Sequence, residues 1–185
     1  MRKVLMLTGL FTAALGFSGC GGLTPELYEL VVDAFTLPDS CYSNGMQPST
    51  QQITEPPGLV SVKVWDGPEA TAFLEIESGG GSIDMGAAPN VSLNGVFTGK
   101  KVDKGWTFSS DASTKTTAGG NTLTDTTHAE FTFERSGGTF KGTGALSSSR
   151  ACTGAVCGTN GSPSCSVAGI NFRGTRIAVQ FERAP

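Results

Sequence analysis

The chain is poor in the groups that most catalytic sites need. It has one histidine, His128, and charged residues make up 16% of its 185 positions. Gly-x-Ser-x-Gly, the turn that exposes a serine nucleophile, does not occur. A Cys-x2-Cys pair is missing too, and Asp103, Asp111 and Asp125 are too scattered for a calcium loop. Gly79-Gly80-Gly81-Ser82 and Gly119-Gly120-Asn121 join no strand to a helix, so neither is a phosphate cradle. The longest apolar run falls short of the roughly 20 residues that span a bilayer. Net charge is −3. A weakly acidic surface has no attraction for nucleic acid or anionic lipid, so nucleic-acid binding is set aside.

Turn formers and sulfur are what the chain has. There are 26 glycines and five cysteines. The glycine share is about twice the average. With abundant Ser and Thr, this is the composition of an extracellular β protein with many turns.

The first twenty residues read as an export signal. Arg2 and Lys3 form a positive start, and Val4 to Phe17 is apolar except at Thr8, Gly9, Thr12 and Gly16. Gly16-Phe17-Ser18-Gly19-Cys20 resembles the bacterial lipobox. Ser18, Gly19 and Cys20 match that pattern, whereas Phe17 stands where an aliphatic residue is usual. The resemblance implies a bacterial lipoprotein: diacylglycerol (with palmitate-type chains) on Cys20, cleavage before it, and acylation of the new amine. Two or more chains make such an anchor stable. Gly21 is not the Asp that retains lipoproteins at the inner membrane of well-studied enteric bacteria, so the resemblance favours the outer membrane. The alternative is plain secretion, with cleavage after Ala14-Leu15-Gly16. Cysteine parity favours the anchor, because lipidating Cys20 leaves an even four thiols for an oxidising compartment. Losing Arg2 and Lys3 makes the mature net charge about −5.

Three segments follow from this: a signal peptide over 1–19; a lipid anchor, short helix and polar loop over 20–58; and an antiparallel β domain over 59–185. The helix is expected from Thr24-Pro25-Glu26, a capping hydroxyl, Pro and an acid, followed by Leu27, Leu30, Val31, Ala34 and Phe35 at helical spacing and a stop at Leu37-Pro38. From Leu59 the apolar period becomes two. Val60, Val62 and Val64, then Ala72, Leu74 and Ile76, form a hairpin around Asp66-Gly67-Pro68-Glu69. Strands are further expected around Val91–Phe97, Trp106–Phe108, Glu130–Arg135, Phe140–Leu146 and Val167–Phe172. A turn at Arg173-Gly174 and a last strand through Ile177, Val179 and Phe181 complete the set. About eight strands with short links and no crossover helix make an up-and-down antiparallel meander, closed as a small barrel or, alternatively, folded as a β-sandwich. The barrel has a lipocalin-like look, without the Gly-x-Trp signature of that family. Interior Gly142 and Gly144 suit the bends of a closed sheet.

Cys41, Cys152, Cys157 and Cys165 are read as two disulfides and not as a zinc site. Cys152 ends one strand and Cys165 begins the next. The expected pairs are therefore Cys152–Cys165 across a hairpin mouth and Cys41–Cys157. Three-residue spacing puts Asp125 and His128 on opposite faces of a strand, which leaves His128 a solvated side chain and not a catalytic one. Glu75 and Glu77 share a face about 7 Å apart and read as the polar side of the hairpin, not as a glycosidase pair. No catalytic residue, cofactor or metal ligand is assigned. Two functions stay in view: a non-enzymatic envelope lipoprotein, a binding or structural module held at a membrane, and a carrier whose barrel cavity holds a small apolar or sugar ligand. For the carrier, Trp65, Phe73, Trp106 and Phe108 are the candidate lining. An envelope hydrolase is a third reading with no constellation behind it.

Overall fold

The computed structural model describes residues 25–42, 59–78, 81–154, 157 and 162–177. The expected leader, Cys20, the remainder of the expected polar loop at 43–58 and the expected strand end at Val179 and Phe181 lie outside these residues. No helix among the described residues is long and apolar enough to cross a membrane.

Eight strands close into an antiparallel barrel, so the meander is a barrel and not a sandwich. The wall runs in chain order: β1 (Glu26–Val32), β2 (Leu59–Asp66), β3 (Thr71–Ser78), β6 (Val96–Val102), β7 (Gly105–Ala118), β8 (Asn121–Ser136), β9 (Thr139–Thr153) and β10 (Ser164–Ile177). β10 pairs back onto β1. A separate hairpin, β4 (Ser82–Ile83) with β5 (Val91–Ser92), interrupts the meander between β3 and β6.

Two expectations are corrected. Glu26–Val32 is a strand, not part of a helix. Its alternation is real: Tyr28 and Leu30 point inward and are buried, while Leu27, Glu29 and Val31 face out. Tyr, Val and Val favour a pleated surface, and β1 bonds both β2 and β10, so extension here is what closes the wall. The β domain therefore takes in residues ahead of 59. Arg173-Gly174, expected as a turn, lies inside β10 opposite Lys141 and Phe140. The eighth strand is thus β1 at the chain's start.

The expected β2–β3 hairpin is present, with Val62, Val64, Ala72 and Leu74 buried inside. Phe108, Phe133, Phe140 and Phe172 build the middle of the core. Phe133 lies 4.7 Å from Phe172 and 5.3 Å from Phe140, centroid to centroid, within the range where aromatic pairs attract. Gly142 faces Phe133 across the strand pair, and Gly144 faces Phe131. A Cβ on Gly142 would lie 2.3 Å from the Phe172 ring and 2.2 Å from the Thr132 carbonyl oxygen. Here glycine makes room for rings. The bend in this part of the wall comes instead at Gly169 (φ +73°), where the β9–β10 register shifts between Ala168 and Ile170.

β7 to β10 are about twice as long as β1 to β3. Their outer halves continue past the barrel as an open sheet. A cap covers its inner face: residues 33–42 and the β4–β5 hairpin bury Leu37, Cys41, Met85, Ala88 and Val91. Ser148 donates a hydrogen bond to the Pro89 carbonyl, and Ala87 N–H bonds Cys41 O.

The disulfides are Cys41–Cys165 and Cys152–Cys157, which corrects both expected pairs. Register explains the difference. Cys165 sits opposite Ser148, four positions along β9 from Cys152. At about 3.3 Å per residue that is roughly 13 Å, beyond disulfide reach. Cys165 instead faces the cap, where the short 3-10 turn Asp39–Cys41 presents its partner at a Cα separation of 4.4 Å.

Candidate ligand-binding cavity

A cavity of about 170 Å³ lies inside the barrel where the wall passes into the open sheet. Its floor is Phe131, Phe133 and Phe172. Its sides are aliphatic, from Leu74, Leu146 and Ile170 among others. The half-buried members of the lining, Val32, Phe35, Ile76, Ile83 and Leu93, mark the mouth between the ends of β1 to β3 and the β4–β5 hairpin. One carboxylate, Asp33, stands at that rim. It is ion-paired with Arg173 at 2.6 Å and so is turned away from the apolar interior.

The sequence-derived aromatics do not form this lining. Trp65 and Phe73 stack on each other outside the barrel, 5.6 Å apart. Phe108 is core and fully buried. Trp106 lies at the opposite end. The signal for the true lining was the period-two pair Phe131 and Phe133 facing Gly142 and Gly144, which leaves ring-sized space beside the rings.

The opposite end is closed by charge. Trp106 Nε1 donates to Asp66 Oδ1 at 3.2 Å, and Lys101 Nζ meets Asp66 Oδ2 at 2.9 Å. These bonds, Lys101 first, hold the Asp66 carboxyl below the usual carboxylate range. Glu26 takes Arg135 at 3.2 Å, Arg176 at 3.3 Å and the Tyr28 hydroxyl. Burial, and then the bond to Glu26, push the Tyr28 phenol up. The Arg135 guanidinium lies 5.9 Å from the Trp106 ring centroid. Outside this network is an open polar basin of about 560 Å³. Every carboxylate in the network has a cationic partner, so the end is a plug and not an acid–base pair.

His128 lies on the outer face of the sheet and Asp125 on the inner, as expected. Asp125 is held by both Nε and Nη2 of Arg150, at 2.7 and 2.8 Å, which lowers its pKa. His128 lies in the middle of β8. Its Nδ1–H donates to Asp111 at 2.7 Å, and Ser147 is the next residue across on β9. The sequence could not show this Asp111–His128–Ser147 row, because its members come from three strands. Nε2 is turned toward Glu130 at 3.7 Å, and the row borders a wide, open hollow of about 550 Å³ lined mostly by Ser and Thr side chains. Glu75 and Glu77 are on the outer face of the hairpin, with Glu77 paired to Lys63. No cluster of His, Cys, Asp or Glu able to hold a metal occurs among the described residues.

No protein-family model, no curated protein and no solved structure matches this chain.

Proposed function

We propose that the protein is a lipoprotein of the bacterial envelope, anchored through Cys20 on the outer membrane, whose barrel binds a small apolar ligand without catalysing a reaction. The cavity carries this reading. An unfilled void of 170 Å³ forgoes about 4 kcal/mol, at roughly 24 cal/mol per Å³. Two larger side chains would fill it. An apolar cavity of about 150 Å³ stays dry and takes up benzene, and ordinary ligand pockets start at about 300 Å³. The fitting guest is therefore a single ring or the last few carbons of an acyl chain. The two disulfides support the extracytoplasmic address, since such bonds persist in oxidising compartments.

Mass spectrometry of the protein isolated from its own cells tests both parts. Under denaturing conditions the expected mass is residues 20–185 plus diacylglycerol and an N-acyl chain, less four hydrogens for two bridges. Under native conditions a small apolar adduct is expected, and toluene should replace it in the wild type but not in Ile76→Trp, which fills the mouth. A mass for residues 1–185 with free thiols would end the anchor reading. An adduct-free native mass, with no toluene uptake by the wild type, would end the carrier reading.

A further inference from the structure

The outer half of β7 is a bare sheet edge. β6 pairs with β7 only as far as Thr98 opposite Ser109. From Ser110 to Ala118 the strand has β8 on one side and, among the described residues, no strand on the other. Residues 111–120 are exposed throughout. The opposite edge of the same open sheet, at the start of β10, is covered: Cys41 bridges to Cys165, and Asp33 N–H bonds Asn171 O.

One hydrogen bond fixes which residues of this edge offer their backbone. Arg135 N–H bonds Lys104 O, so Lys104 and Arg135 are a hydrogen-bonded pair. Alternation then directs the even residues of β7 toward β8. The odd residues, Asp111, Ser113, Lys115 and Thr117, point N–H and C=O away from it, into the open. The run ends in a tight two-residue hairpin, with Gly119 (φ +57°) and Gly120 (φ +77°) both left-handed. It contains no Pro, no Gly and no bulge, the usual devices that blunt an edge.

We infer that this edge pairs with the same edge of a second copy of the chain, antiparallel about a two-fold axis at Ser113. The two charges of the run choose both the occupant and the register. Asp111 and Lys115 are opposite in sign, four residues apart and on one face. With Ser113 opposite its own counterpart, each Asp111 meets the partner copy's Lys115, and both belong to the odd set that can exchange backbone bonds. Every other two-fold register breaks these two ion pairs. Asp111 Oδ1 is engaged by His128, and Oδ2 is left for the lysine. Ser109 already faces Thr98 of β6, so the paired run spans Asp111 to Lys115 and the strand ends beyond it splay clear of β6; within it Ala112 faces Thr114. These are small or β-branched side chains that suit a cross-strand contact. A lone lysine on an edge would repel a like edge, but here the spacing to Asp111 makes self-pairing attractive.

Sedimentation of the protein as isolated, in detergent micelles if it is lipidated, should show a dimer that dissociates on dilution. Oxidation of Ser113→Cys should give a covalent dimer, because the paired Cα atoms lie about 5.5 Å apart. Thr117→Cys, about 27 Å from its counterpart, should stay uncross-linked. Lys115→Glu should weaken dimerisation about tenfold, and Asp111→Lys with Lys115→Glu should restore it. Ser113→Pro, which removes only an outward N–H, should give a folded monomer. A protein monomeric at every concentration, including one whose edge is taken by its own residues 43–58, overturns the inference. So does cross-linking of Thr117→Cys in preference to Ser113→Cys.

Discussion

Removing the two disulfides separately should have unequal consequences, and the inequality follows from loop length. Cys41–Cys165 spans 124 positions, whereas Cys152–Cys157 spans five. Restricting the unfolded chain is worth about 5 kcal/mol for the long loop and about 2 kcal/mol for the short one. Burial widens the gap. Cys41 and Cys165 are in the core, so their removal also loosens the cap, whereas Cys152 is exposed. In a domain of this size 1 kcal/mol is worth about 2–4 °C. The Cys41→Ala/Cys165→Ala pair should therefore lower Tm by about 10–20 °C, and Cys152→Ala/Cys157→Ala by about 4–8 °C. Thermal melts followed by circular dichroism read the Tm, and urea unfolding with m-values compared shows any change in the denatured state. Equal losses, or a larger loss from the short loop, would refute both the connectivity and the cap's dependence on it.

Gly142→Ala should destabilise the barrel by about 2 kcal/mol or more, since its methyl must displace the Phe172 ring or the Thr132 carbonyl; the urea midpoint checks this. Asp125→Asn should cost about 1 kcal/mol at pH 7, because it breaks a bidentate pair with Arg150. Arg150 lowers the folded-state pKa of Asp125, so this stability is present above the ordinary carboxylate pKa and is lost as pH falls through the folded value. Melting curves of wild type and Asp125→Asn should accordingly converge as pH falls through the lowered folded-state value, and a gap that persists in stronger acid would show another origin.

What could be read in advance was whatever repeats locally. Val60-x-Val62-x-Val64 and Ala72-x-Leu74-x-Ile76 announced a hairpin, because one face of each strand is buried and a one-residue slip would expose it. β1 was hidden because Thr24-Pro25-Glu26 carries a helix start and Leu27, Leu30 and Val31 fit a helical stripe. The barrel decides otherwise, since only an extended segment can bond β2 and β10 at once. The disulfide pairs were illegible for a related reason. Cysteine spacing says nothing of register, and register puts Cys165 opposite Ser148 and beneath the cap. The cavity needed both terms of a cross-strand pair, Phe131 with Gly144 and Phe133 with Gly142, on strands whose pairing had to be known first.

Placement of the cavity follows from a change of partner along the same strands. Near Glu26 the inner faces of eight strands converge on one another and are closed by Asp66, Lys101, Glu26, Arg135 and Arg176. Further along, β7 to β10 leave the closed wall, and their inner faces meet the cap instead. A cap of irregular segments fills its side with Leu37, Met85 and Val91, but not the ring-lined space at the junction. The proposed anchor gives this asymmetry a direction. Cys20 precedes Glu26 by six residues, a tether of about 20 Å at most. The charged plug then lies toward the membrane and the apolar mouth away from it. Such a barrel would exchange its guest with the aqueous side and not directly with the bilayer. That arrangement suits a monomeric small molecule better than a lipid drawn from the membrane.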